Sequence, residues 1–240
     1  MNNKKYFNCL YVWYQENTFS FKYKVLRKND TKLALQKIYE DDYYIKPRIV
    51  HSNPYIENSH IVFCDIYDYE NTNLNVDNRN ILVNHLQNNK ITQNPIISFE
   101  YCLESIDTNL LNPNKLHEQM NNIVNICLKC GIMIDEYTFD NENIYITMAY
   151  APILNFCDDL LLFKYIISRE FDNLYCKSIH YNFTDNELLN NYSELLMNKY
   201  TNKLNNYVTT SINNHIKFTD IPLDKDIYSF VLDIINKIYD

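Results

Sequence analysis

Glycine is nearly missing from this chain: Gly131 is the single one among 240 residues. Phosphate-cradling loops and dinucleotide folds need several glycines, where the backbone must approach a ligand or take positive φ. A Walker A loop and a Rossmann fingerprint are therefore excluded. Arginine is scarce as well. Arg27, Arg48, Arg79 and Arg169 are the whole set, so no guanidinium follows residue 169. No run of about 18 uncharged apolar residues exists, so no membrane span is expected. The N-terminal stretch MNNKKYFNCLYVWYQENT has no apolar core of the signal-peptide kind. The 22 Lys and Arg are outnumbered by 30 Asp and Glu, a net charge of −8. Nucleic-acid binders carry the opposite balance.

What is present is enough for a core: 46% of residues are hydrophobic. An odd number of cysteines, seven, cannot all pair within one chain, and a reduced, cytoplasmic protein is the expectation. The runs FNCLYVWY and FSFKYKVL flank the polar QENT and predict a hairpin. TKLALQKIYEDD has a helical look, and YYIKPRIV reads as a strand whose Pro47 suits a sheet edge. HIVFCDIYDY predicts a central strand. The texture changes at ENTNLNVDN, where a domain boundary fits, giving units 1–71 and 72–240.

Beyond it, RNILVNHLQNN places Ile81, Leu82, His85 and Leu86 on one helical face. PIISFEYCLESI returns to strand character. The segment NPNKLHEQMNNIVNICLKCG predicts an amphipathic helix with Leu116, Met120, Ile123, Val124, Cys127 and Leu128 inward, stopped by Gly131. IMIDEYTF and NIYITMAYAP predict paired strands about a DNEN turn. CDDLLLFKYIISREF predicts a helix, CKSIHYNFT a strand, and NELLNNYSELLMNKYTNKLNNY and KDIYSFVLDIINKIY two further helices.

The order of these segments resembles glutamine synthetase of the eukaryotic type, from Leu10 almost to the last residue. YYIKPRIVHSNPY is similar to that family's L-x-P-x-x-x-x-x-D-P-F, ending on Asn53-Pro54-Tyr55, and HIVFCDIYDY to its LVLCDVY strand. VDNRN resembles T-N-x-R, NPIISFEYCLESI resembles PWFGIEQEYTL, and CLKCGI resembles C-L-Y-A-G-I. CDDLLLFKYIISR is similar to G-D-H-L-W-x-A-R-x-I-L-x-R, IHYNFT to x-H-T-N-F-S, and DIYSFVLDII to D-P-Y-S-V-T-E-A-L-I. The resemblance implies an α+β fold. A small β-grasp-like N-terminal domain (1–71) would precede an abbreviated antiparallel sheet backed by helices (72–240), half of the family's barrel.

It also implies a chemistry: phosphoryl transfer from ATP to glutamate, then attack by ammonia, with two divalent cations (Mg or Mn) and arginine clamps spreading the charge. Several required groups are substituted. Glu100 matches the first carboxylate of E-x-E, but Cys102 stands for the second. Asp140 and Thr147 fall on two further glutamate positions, so one metal keeps Asp140 alone. For the other metal Glu100 and His180 persist. Asn182 and Thr184 match the nucleotide-side Asn and Ser. The C-terminal arginines are gone, Tyr175-Cys176-Lys177-Ser178 replaces a glycine loop, and the W-x-x-D-G-S-S loop is absent. Lysine supplies charge without the bidentate fork. The expectation is thus a catalytically inactive homologue acting as a binding, structural or regulatory module, through a protein partner, self-association or insertion into rings of an active glutamine synthetase. The alternative is a reduced ATP- and metal-dependent ligase or nucleotide-binding protein.

Plainer readings stand beside these. Glu100 fits a half-buried strand carboxylate with a lysine partner, and His180 a cleft or core histidine. Cys102, Asp140 and His180 could form a soft-metal site with Glu100. Cys127-x-x-Cys130 fits buried small hydrophobes better than zinc or redox chemistry. Asp158 and Asp159 read as an N-terminal helix cap, and DKDIYS as a solvated helix start.

Overall fold

The computed structural model describes residues 6–15, 18–27, 36–38, 43–67, 70, 78–88, 96–105, 113–140, 143–171, 174–184, 208–212, 215–219, 221 and 226–239. The chain divides into two compact units, Met1–Asp77 and Asn78–Asp240. The fold is α+β, with two mostly antiparallel sheets and, among the described residues, four helices. The position expected for the boundary, after residue 71, and the helix expected over 186–207 fall outside the described residues.

In the first unit, aromatic and β-branched residues favour extended backbone. β1 (Tyr6–Gln15) and β2 (Thr18–Arg27) form the predicted hairpin, in register from Tyr6 opposite Arg27 to Gln15 opposite Thr18. β3 (Gln36–Ile38), β4 (Tyr43–Ser52) and β5 (Ser59–Tyr67) complete a sheet of order β2-β1-β5-β4-β3. β5 is central, as expected, and runs parallel to β1. Cys9, Tyr11, Ile45, Val62, Cys64 and Ile66 form a buried cluster against which Trp13 packs. Two expectations need correction here. Residues 36–38 of the helix-like segment are a strand, because pairing with Tyr43–Ile45 outweighs weak local propensity over so short a piece. Pro47 does not lie on an edge strand, since β4 has neighbours on both sides. β3 stops short of it, however, and a bulge between Pro47 and Ile49 absorbs the missing N–H.

The turn from β4 to β5 is built by side chains. Asn53 Oδ1 accepts from the Tyr55 amide at 2.9 Å, and Asn53 Nδ2 donates to Ser59 Oγ at 3.3 Å. Ser59 Oγ donates in turn to the Asn8 carbonyl, tying the turn to β1.

The second unit contains α1 (Asn78–Asn88), β6 (Ile96–Ser105), α2 (Pro113–Lys129), β7 (Ile134–Phe139), β8 (Asn143–Met148), β9 (Ala151–Pro152) and α3 (Ile153–Glu170). β10 (Leu174–Thr184), β11 (Val208–Ile212), β12 (His215–Thr219) and α4 (Ile227–Tyr239) follow. The sheet order is β11-β12-β10-β6-β8-β7, with the short β9 also pairing β6. Alternation gives the sheet two faces. One face presents Phe99, Tyr101, Tyr181, Phe183 and Phe218, all buried. Phe156 and Phe163 of α3 and Phe230 of α4 pack edge-on or tilted against these rings at centroid distances of 4.9–6.1 Å.

α2 buries Leu116, Met120, Ile123 and Cys127 in the expected 3–4 rhythm, while Leu128, one step off the stripe, is 54% exposed. Its end is a Schellman motif: the Ile132 amide donates to the Cys127 carbonyl and the Gly131 amide to that of Leu128, with Gly131 at φ 82°. On α1 only Leu82 of the expected apolar face is buried, and Ile81 is exposed.

Asp158 and Asp159 do not cap α3. That helix starts at Ile153, with Pro152 at the N-cap position and no side-chain cap. Both carboxylates lie in the second turn. Arg79 of α1 donates Nε and Nη2 to Asp158 Oδ1 and Oδ2 at 2.9 and 2.7 Å, and Tyr228 of α4 donates its hydroxyl to Oδ1 at 2.7 Å. One carboxylate therefore ties three helices together. Asp226 does start α4 as expected: its exposed carboxylate accepts from the Ser229 amide at 2.8 Å.

Candidate functional site

The sheet face opposite the helices carries the polar positions of the same strands. Ser98, Glu100, Cys102 and Glu104 alternate with the buried aromatic row on β6, and His180 and Asn182 do the same on β10. Register aligns them. His180 stands directly opposite Glu100, Asn182 opposite Ser98, and Lys217 of β12 opposite Asn182. From the other side Thr147 of β8 stands opposite Glu100.

Glu100 is the hub. The His180 Nδ1–H donates to Glu100 Oε1 at 3.1 Å, and Lys217 Nζ donates to the same oxygen at 3.5 Å. The three side chains retain 25–30% of their accessible surface, so the cluster is open to small solutes rather than sealed in a core. Asn182 Nδ2 donates to Ser98 Oγ at 3.4 Å on the same face.

Further along β6 lies a second cluster. Glu104 accepts from the Tyr175 hydroxyl and from Lys177 Nζ, the latter at 3.2 Å. These hydrogen bonds, Tyr175 first, hold the Glu104 carboxyl below its ordinary range, and Glu104 in turn raises the Lys177 ammonium. Lys177 reaches this face through a bulge between Cys176 and Ser178, and also donates to Asn143 Oδ1 at 3.4 Å.

Asp140 belongs to this end. At the turn between β7 and β8 it accepts from the Asn143 amide at 2.8 Å and from the Tyr145 hydroxyl at 3.4 Å. Asn143 is opposite Glu104, four residues along β6 from Glu100, which at strand rise is about 13 Å. Asp140 and the Glu100–His180 pair cannot share an ion, whose ligands lie within about 2.0–2.6 Å of it. Cys102 is 4% exposed, and burial pushes its thiol up, so it offers a neutral group and no thiolate. Thr184 is wholly buried. Of the two nucleotide-side candidates, only Asn182 is on the accessible face.

The residues do not fit a two-cation phosphate centre. Such a centre needs several oxygen anions converging on each ion. Among the described residues no three His, Cys, Asp or Glu side chains converge in that way. Lysine ammoniums engage Glu100 and Glu104. Burial raises Cys127 to about 12 and Cys130 to about 11, the pattern of packed thiols rather than of nucleophiles or zinc ligands.

Lys217 was not among the residues that sequence reasoning selected. The signal was available: VTTSI and HIKFT flank a two-residue Asn-Asn turn, a hairpin pattern in which Lys217 alternates with apolar Ile216 and Phe218. Ser98 gave no signal beyond alternation. Among the described residues no helix is long and apolar enough to cross a membrane. No model of a known protein family matches the chain, and no curated protein is significantly similar to it.

Proposed function

We propose that this chain is a catalytically silent relative of glutamine synthetase, with a β-grasp-like first unit and a half-barrel second unit, acting as a binding or regulatory module. One observation carries the reading. Glu100 and His180, matched to ligands of a single cation on sequence grounds, lie 80 positions apart in the chain yet meet across adjacent strands on one face. Thr147, matched to the second glutamate position of the other metal's set, is the residue opposite Glu100 on the other side. The meeting of Glu100 and His180 supports the resemblance, while Asp140, matched to the same metal as Thr147, stands at the other end of β6.

Silence follows from the same row. Threonine and a buried thiol cannot supply the anionic charge that divalent ions require, and no guanidinium occurs after residue 169 to receive phosphates. The testing assay is glutamine formation from glutamate, ammonia and ATP with Mg²⁺ or Mn²⁺. No product above the no-protein blank is expected; product that disappears in Glu100→Ala overturns the reading. The regulatory form of the proposal predicts co-migration with rings of an active glutamine synthetase in size-exclusion chromatography. Separate elution removes that form and leaves self-association or another protein partner.

A second reading, retained nucleotide binding, is favoured by Asn182, part-buried and bonded to the buried Ser98, beside the Glu100–His180 pair. It predicts an upward melting shift with ATP and Mn²⁺ that is lost in His180→Ala. A flat melting curve removes it.

A further inference from the structure

We infer that the ε-ammonium of Lys217 is the resident cation of the Glu100–His180 site, tethered to the chain, so that this site neither needs nor admits a divalent ion. The inference rests on the reading of this face as a remnant metal site, and concerns what has replaced the metal.

The donors themselves are well placed. Glu100 Oε1 and His180 Nδ1 are 3.1 Å apart, a spacing that two ligands about 2.1 Å from one ion can span. Lys217 Nζ lies 3.5 Å from the same oxygen. An ion about 2.1 Å from Oε1 would sit no farther than about 5.6 Å from the ammonium, where repulsion between charges of +2 and +1 weakens binding by at least about tenfold even at the dielectric of water. The backbone that carries the ammonium is held in place. Its strand is fixed between β10 and β11 by backbone pairing, with Ile216 and Phe218 buried on either side of it. A second lysine–carboxylate pair stands at the other end of β6, where Lys177 donates to Glu104 and Asn143. Both glutamates on this face of β6 are thus paired with a lysine from within the chain.

A covalently held monovalent cation differs from a bound metal in a measurable way: removing it should uncover the metal site. The test is Mn²⁺ titration followed by the electron paramagnetic resonance of the free ion, on the full chain. Mn²⁺ is chosen because hard cations ignore the cysteine thiols that would confuse a zinc titration. The wild type is expected to show no site tighter than about 1 mM, and Lys217→Met one new site at least about tenfold tighter. That site is expected to vanish in Lys217→Met combined with His180→Ala. Lys217→Gln, neutral and polar, is titrated in parallel, so loss of fold in one variant leaves the question decided by the other. The inference is overturned if neither variant gains a site, if the gain survives loss of His180, or if the wild type already binds Mn²⁺ as tightly through Glu100 and His180. Failure is separable from failure of the functional proposal: an inert wild type whose Lys217 variants gain nothing refutes only the tethered cation, whereas glutamine formation by the wild type refutes the silent homologue.

Discussion

Removing the Asp158 carboxylate should loosen three helices at once. The side chains of Arg79 and Asp158 are 20% and 14% exposed, and their contact is bidentate. Such a pair lies between exposed ion pairs, worth about 0–1 kcal/mol, and fully buried ones, whose one-sided removal costs about 3–5 kcal/mol. About 2 kcal/mol is therefore assigned to the loss at Arg79. Tyr228 is 2% exposed and donates its hydroxyl to the same carboxylate, and losing that charged acceptor adds about 1 kcal/mol. Asp158→Ala should thus destabilise the second unit by about 3 kcal/mol, read as a lower urea midpoint at unchanged slope. Arg79→Ala alone should cost less, because the carboxylate keeps the Tyr228 bond. The double variant should show a coupling of about 1–2 kcal/mol. An Asp158→Ala effect under about 1 kcal/mol, or additive single changes, would refute the claim that this carboxylate holds α1, α3 and α4 together.

Two further outcomes follow from neighbouring features. Burial, and then the adjacent Asp158, raise Asp159 from 3.8 to about 6. Its neutral form is therefore favoured in the folded chain, and its contribution, complete below about pH 4, is lost as pH rises through about 6. The full shift corresponds to about 3 kcal/mol, reduced to about 1–2 by the solvent the group still meets. Asp159→Asn should match the wild type near pH 4 and exceed it by that margin at pH 7.5 in paired urea titrations; a constant difference across pH contradicts the assignment. At Gly131 an added Cβ would meet nothing within 4 Å, yet φ is +82°. Gly131→Ala should cost about 1 kcal/mol of purely conformational energy, and a loss beyond about 3 kcal/mol in thermal melting would mean that a steric clash had been missed.

Much of the architecture is legible in the sequence because its signals are local. The alternation of Phe99, Tyr101 and Leu103 with Ser98, Glu100 and Cys102 marks β6 as a strand with an apolar face and a more polar one. The 3–4 spacing of Leu116, Met120, Ile123 and Cys127, ended by Gly131, marks α2 just as clearly. What escaped depends on partners distant in sequence. Residues 36–38 become a strand only because β4 is there to pair with. Asp158 resembles a cap until Arg79 and Tyr228, 79 and 70 residues away, are known to converge on it. The candidate site divides in the same way. The family resemblance picks out Glu100 and His180, and alternation puts them on the more polar face. Register alone decides that Lys217 reaches them and that Asp140 does not.

That register gives a last, activity-free way to tell a self-satisfied face from a working site. Groups poised for a ligand are held unpaired or strained, so replacing them commonly stabilises the fold. Glu100 is not held that way: its carboxylate already accepts from His180 and from Lys217. Glu100→Gln keeps an oxygen to accept from His180 but removes the charge that Lys217 faces. With the side chains of Glu100 and Lys217 30% and 25% exposed, the expected change is a loss of about 0.5–1 kcal/mol. Because the term is electrostatic and partly exposed, 1 M NaCl should shrink it by more than half, the screening length falling to about 3 Å. Paired urea titrations at low and high salt measure both quantities. A gain in stability for Glu100→Gln, at either salt, would mean that the wild-type carboxylate is held at a cost for an external cation, and the tethered lysine would then be a minor neighbour rather than the occupant.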